Sequence, residues 1–300
     1  MSFNPDSKLD PSKVSKRTGG RGRTAAIGGG GAIVVVGLVL LSQLVGVDLT
    51  GFAGLVGGGG DSGSSSQSET ALDCQTGADA NANVECLMVG AANSLDTYWI
   101  TTAPALGVNY HSPDDFVLFE QATSTGCGQA SSATGPFYCP PDETIYLDTA
   151  FFGELRSRFG ASGGTLSEMY VVAHEWGHHI QQLTGTLSST DHSVTGPASD
   201  SVRTELQADC FAGAWTGAAS TTADSNGVVF LEPVTSEQIA DALNAASVIG
   251  DDRIQQQSGG QVDPESWTHG SSASRQKWFE TGLNSGPAAC DTFSVDASQL

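Results

Sequence analysis

The chain has 300 residues, room for one or two domains, and carries 33 acids against 12 bases for a net charge of −21. Six of the twelve bases lie before residue 24 and only two acids before residue 48, so the remainder holds 31 acids against six bases. A surface that negative repels nucleic acid and anionic lipid headgroups, so neither is expected as a partner.

Residues 1–23 read as a polar, basic, disordered tail. Residues 24–47 are Gly-rich but uncharged around the apolar run from Ala32 to Leu41. They are long enough to span a hydrocarbon core of about 30 Å. The basic region before them is long for a cleaved signal peptide. No small-x-small site follows the core closely, and Ala53-Gly54-Leu55 is only a weak candidate. The expectation is a signal anchor, one transmembrane helix crossing the cell membrane in a single pass. Its basic flank stays cytoplasmic and residues beyond about 48 lie outside. Residues 48–70 contain Gly57–Gly60 and Ser62–Gln67 and read as a flexible tether. Residues 71–300 form the extracytoplasmic globular domain.

Six cysteines, Cys74, Cys86, Cys127, Cys139, Cys210 and Cys290, all follow the membrane segment. An even count on the exported side reads as disulfides. Local spacing suggests Cys74–Cys86 and Cys127–Cys139, and elimination leaves Cys210–Cys290. A structural zinc site would need closer C-x-x-C-like spacing than any present.

Within the domain, Ala91–Tyr98 reads as helix. Phe116–Phe119 and Thr144–Leu147 read as strands. A long helix is predicted over Leu166–Leu183, then a Gly/Ser/Thr-rich loop, Gly185–Ser199, and a second helix over Arg203–Trp215. Ser236–Ile249, opened by Thr235 or Ser236, and Ser271–Thr281 read as further helices. The pattern is α+β, helix-rich with a small sheet.

The most informative stretch is His174-Glu175-Trp176-Gly177-His178, an H-E-x-x-H motif on the first long helix. Positions i and i+4 share a face, so both imidazoles can meet one point suited to zinc. Glu175 can serve as general base there. A catalytic zinc needs a third protein ligand. On the second helix Glu205 and Asp209 are four apart and share a face. Glu205 is the expected anionic ligand, and Asp209 would hold the other ring N–H of His174. Asp209 lies in an otherwise apolar stretch, where an acid needs a partner.

The combination of V-V-A-H-E-W-G-H-H-I-Q at 171–181 with E-L-Q-A-D-C-F-A-G at 205–213 resembles the bacterial neutral zinc metallopeptidases of the YpfJ type, a gluzincin-like group. The stretch from Gly135 to Asp148 and the segment Thr268–Ser272, followed by Arg275 and Trp278-Phe279, add to the match. The resemblance covers most of 71–300 and the membrane-anchored layout. It implies a zincin-like fold, one Zn2+, and hydrolysis of peptide or protein substrates. It also suggests that a strand near Phe137–Leu147 pairs with extended substrate, although the residues alone fit an ordinary core strand equally well.

His269 is a candidate donor to the oxyanion of a tetrahedral intermediate, with Tyr138 and Tyr146 as rivals. A His that merely caps the helix start is an equal reading. His179 lies about 100° round the helix from His178 and reads as a supporting or surface residue. His111 and His192 carry no motif, and no role is assigned to Gln181 or Gln182. The alternative to a peptidase is a non-catalytic extracellular interaction module with a structural zinc, which would require a fourth protein ligand.

Overall fold

A computed structural model describes residues 2–18 and 68–300. Its strands are β1 (Ser15–Thr18), β2 (Ser68–Thr70), β3 (Asp115–Phe119), β4 (Ala122–Thr125), β5 (Gly128–Ser131), β6 (Phe137–Cys139) and β7 (Thr144–Leu147). Five form one mixed sheet in the order β2-β1-β3-β7-β6. The inner strands β1, β3 and β7 run parallel, and the outer strands β2 and β6 run antiparallel to their neighbours. A separate hairpin joins β4 and β5.

Of the inner strands, β3 and β7 are buried on both faces, which is why they read as nearly unbroken apolar runs, whereas β1 is polar and half-buried. Alternate residues divide between two cores, as a side-chain period of two requires. Phe116, Leu118, Tyr138, Ile145 and Leu147 face the helices. Val117, Phe119, Phe137, Cys139 and Tyr146 form a smaller cluster with Ala130 of the hairpin.

The helices are α1 (Gly77–Ala82), α2 (Val84–Thr102), α3 (Phe151–Ser157), α4 (Thr165–Leu183), α5 (Thr186–Ser189), α6 (Asp200–Ala218), α7 (Ser236–Val248), α8 (Asp251–Gln257) and α9 (Ser272–Ser285). The H-E-x-x-H helix, α4, touches α2, α6, α7 and the edge strand β6. Asn83, Ser199, Thr235 and Ser271 cap the starts of α2, α6, α7 and α9 with side-chain oxygens. Both α2 and α6 run longer than their apolar patterns suggest. They are buried nearly all round, and a helix buried on every face carries little amphipathic signal. The fully buried Trp99 and Trp215 join them: Trp99 meets Phe211 edge to face, and Trp215 Nε1 donates to Ser94 Oγ at 3.1 Å.

The cysteines pair as Cys74–Cys86, Cys127–Cys139 and Cys210–Cys290. The last closes a separation of 80 residues and ties α6 to the C-terminal segment.

The N-terminal stretch departs from the expectation of a disordered tail. Residues 2–18 are folded against the domain, and β2 takes in the end of the expected tether. Phe3 is fully buried, and Leu9 and Val14 join the main core. Three isolated apolar residues in a polar stretch give no periodic signal, and their partners lie far along the chain. The expected span 24–47 and the tether as far as residue 67 lie outside the described residues. Among the described residues no helix is long and apolar enough to cross a membrane.

Candidate metal centre

The site forms where α4 and α6 touch backbone to backbone. A Cβ on Gly177 would sit 2.9 Å from Ala208 Cα, closer than real Cβ atoms pack, and 3.1 Å from its carbonyl oxygen. Only glycine permits that approach, and the approach carries Glu205 to the two imidazoles. Ligand atoms of His174, His178 and Glu205 all lie within 4.8 Å of one another, and all three residues are buried. Gly177→Ala is expected to push the helices apart, cost about 1–3 kcal/mol, and weaken zinc binding. Unchanged thermal unfolding and an unchanged zinc titration would contradict this.

Each imidazole is oriented from behind. His174 Nδ1–H donates to Asp209 Oδ1 at 2.9 Å, and His178 Nδ1–H donates to Gln181 Oε1 at 2.8 Å. Both Nε2 atoms then face the Glu205 carboxylate, at 3.1 Å for His174 and 3.6 Å for His178. Glu205 Oε1 is buried with no hydrogen-bond partner. Two imidazole nitrogens converging on a carboxylate, with one of its oxygens orphaned, make a point that favours positive charge, and two imidazoles with one carboxylate suit zinc.

The two carboxylates draw positive charge to this point. Burial alone would lower the His174 pKa, but Asp209 and Glu205 outweigh it and push the ring up to about 10. Burial would raise Glu205, but His178 and His174 hold its carboxyl well below the usual range. His178 is lowered to about 4, chiefly by burial. Glu175 is pushed up to about 7 by burial, which outweighs the charge of His174 and a hydrogen bond from the Tyr138 backbone.

Beneath the site lies a buried network. Asp209 accepts from His174, from the Tyr170 hydroxyl, and from Arg275 through Nε at 2.8 Å and Nη2 at 3.0 Å. Arg275 also donates to Tyr170 Oη at 3.2 Å and to the Ile249 carbonyl at 3.3 Å. The other support, Gln181, donates through Nε2 to the Thr204 carbonyl at 2.7 Å, which pins its oxygen toward His178. Sequence reasoning assigned no role to Gln181, Tyr170 or Arg275. The first two lie at helical spacing from the ligands, i+3 from His178 and i−4 from His174, and that signal was available. Arg275 enters the sequence reading only through the family resemblance, and nothing local ties it to its partner 66 residues away. Gln181→Leu is expected to weaken zinc about 10–100-fold. Competition with a chelating dye would measure this, and parental affinity would remove Gln181 from the site.

His269 lines the same cavity as His174, Glu175, His178 and Glu205. Its turn is held by the Asp251 carboxylate. Oδ2 accepts from the backbone N–H groups of Thr268, His269 and Gly270 at 2.7–3.0 Å, and Oδ1 lies 3.3 Å from His269 Nδ1. The rival tyrosines are engaged elsewhere. Burial leaves His179 neutral, lowered to about 4. Its Nε2–H donates to the His111 carbonyl, so its Nδ1 accepts from the Tyr138 hydroxyl at 3.1 Å. Tyr146 donates to Asp142 Oδ2 at 2.8 Å and stacks on Phe137. His192 meets Thr190 in its loop. The cavity's apolar wall is Pro136, Phe151, Val171 and Ile249. β7 is interior to the sheet, so the edge beside α4 is β6 alone.

A three-donor metal cluster on two packed helices, with a carboxyl one residue from the first imidazole and a sheet edge alongside, is the arrangement of a zinc peptidase. The chain belongs to the family described as "Putative neutral zinc metallopeptidase", which matches residues 6–293. It is 53% identical over 224 residues to the uncharacterized protein Rv2575 of Mycobacterium tuberculosis, covering 74% of this chain and 75% of that one. It is 39% identical over 281 residues to the uncharacterized protein YpfJ of Escherichia coli K12, covering 92% and 90%. No solved structure matches the chain.

Proposed function

We propose that the protein is a membrane-anchored zinc peptidase that hydrolyses peptide bonds of peptide or protein substrates outside the cytoplasm. The observation that carries the reading is the convergence of His174, His178 and Glu205, with an orphaned carboxylate oxygen, next to Glu175. The exported location is supported by three disulfides, which persist in oxidising compartments. The anchor is supported by the uncharged stretch at 24–47, long enough to meet a hydrocarbon core, around the apolar run at 32–41.

Zinc held by His174, His178 and Glu205 supplies Lewis acidity toward a carbonyl and lowers the pKa of a water to about 7. The chain's own groups do the rest. Asp209 and Gln181 keep both Nε2 atoms turned inward. Glu175 accepts the proton of the attacking water and returns it to the departing amine nitrogen. His269 donates to the oxygen that gains charge, its ring positioned by Asp251. The edge of β6 aligns an extended substrate by strand addition, and the wall of Pro136, Phe151, Val171 and Ile249 receives an apolar substrate side chain. Three ligands support catalysis over a structural role, since a closed structural site uses four.

The test is hydrolysis of a peptide library by the full chain, before and after chelation. Cleavage that stops on chelation and returns with zinc is expected, with apolar residues enriched beside the scissile bond. No cleavage at full zinc occupancy would sink the peptidase reading and favour an interaction module.

A further inference from the structure

The way residues 2–18 enter the fold bears on how the chain meets the membrane, whatever chemistry the site performs. β1 is an inner strand of the sheet, flanked by β2 and β3. Its antiparallel register with β2 pairs Lys16 with Thr70, Arg17 with Glu69 and Thr18 with Ser68. Thr18 and Ser68, the described residues on either side of 19–67, therefore lie one strand spacing apart. That spacing is about 4.8 Å, whereas a bilayer core is about 30 Å thick. A chain that crossed once could not bring these residues together.

The attachment extends along the whole segment. The Phe3 ring sits on Gly90 of α2, where a Cβ would lie 2.6 Å from Phe3 Cζ. The Phe3 N–H donates to Asn81 Oδ1 and its carbonyl accepts from Asn81 Nδ2, each at 2.8 Å. Asp10 and Asn93 exchange a similar pair. Lys13 Nζ donates to the buried Asp96, which also accepts from Tyr110; the Tyr110 oxygen in turn accepts from Trp176 Nε1 inside the H-E-x-x-H motif. Three basic residues of the segment are paired as well. Lys13 meets Asp96, Lys16 meets Glu85 and Glu120, and Arg17 meets Asp115. Charges paired with the domain's own acids are not a loose basic flank of the kind that holds a terminus in the cytoplasm. The family match, beginning at residue 6, takes in this segment.

We propose that residues 2–18 are an integral part of the peptidase domain and lie on the same side of the membrane as residues 68–300. This replaces the single-pass arrangement expected from the charge pattern.

Every described cysteine is disulfide-bonded, so one engineered thiol gives one label. Asp6→Cys and Glu280→Cys place it at exposed positions in the N-terminal segment and on α9. Both full-length variants would be treated with a membrane-impermeant maleimide on intact spheroplasts and again after permeabilisation. The expected result is the same behaviour for both sites, labelled together before permeabilisation or protected together until it. Labelling of one with protection of the other would overturn the proposal. As a second measurement, a protease site inserted at Ser64–Ser66 of the full chain is cut without denaturant. The N-terminal piece is expected to remain bound to the rest; its release would equally count against the proposal.

Discussion

Glu175→Gln is expected to lower peptide hydrolysis by about 10²–10⁴-fold, the usual contribution of a positioned acid–base group, with zinc content and thermal unfolding close to those of the parent. The side chain is nearly fully buried, one residue from His174, and lines the cavity that His174, His178 and Glu205 share. It is not among the cluster that could hold a metal. Glutamine keeps the volume and can still accept the hydrogen bond from the Tyr138 backbone, but it cannot take up a proton at neutral pH. Activity should therefore fall while the metal stays. Paired measurement of turnover and bound zinc decides the matter. Full activity at equal zinc would remove Glu175 from the chemistry, and loss of zinc together with activity would make it a support of the metal site instead.

The metal cluster was the most legible part of the sequence because it depends on spacing within single helices. His174 and His178, or Glu205 and Asp209, are fixed relative to one another by 3.6 residues per turn. That Glu205 belongs with the two His was a chemical argument about ligand number, and its structural cause, the bare backbone of Gly177 against Ala208, could not be read from either helix alone. Thr235 announced α7 by its cap, and the β3 and β7 runs announced a buried sheet. Residues 2–18 were misread for the opposite reason. β1 earns its place by pairing with β3, about a hundred residues on, and Phe3, Leu9 and Val14 bury against partners equally remote. Long-range pairing of that kind leaves no local period. Arg275 was hidden in the same way, since one of two basic residues on a polar helix looks solvated until Asp209 is found beside it.

Arg275 is where stability and metal affinity should separate. Arg275→Met leaves the Asp209 carboxylate buried with only His174 and Tyr170 as donors. Breaking one partner of a buried ion pair costs about 3–5 kcal/mol, readable as a shift of the denaturant midpoint at unchanged slope. Removing both charges is a different experiment. Arg275→Met with Asp209→Leu replaces the pair by apolar side chains of similar bulk, a change that is often neutral for stability. The double variant should therefore recover much of the lost midpoint. Its zinc affinity should not recover, because His174 has lost the acceptor of its Nδ1–H, a loss of about 10–100-fold. If affinity returned along with stability, the network beneath the site would be structural only, and Asp209 would have no part in setting His174 toward the metal. If neither returned, the four groups Tyr170, His174, Asp209 and Arg275 would act as one unit whose contributions cannot be divided between folding and ligation.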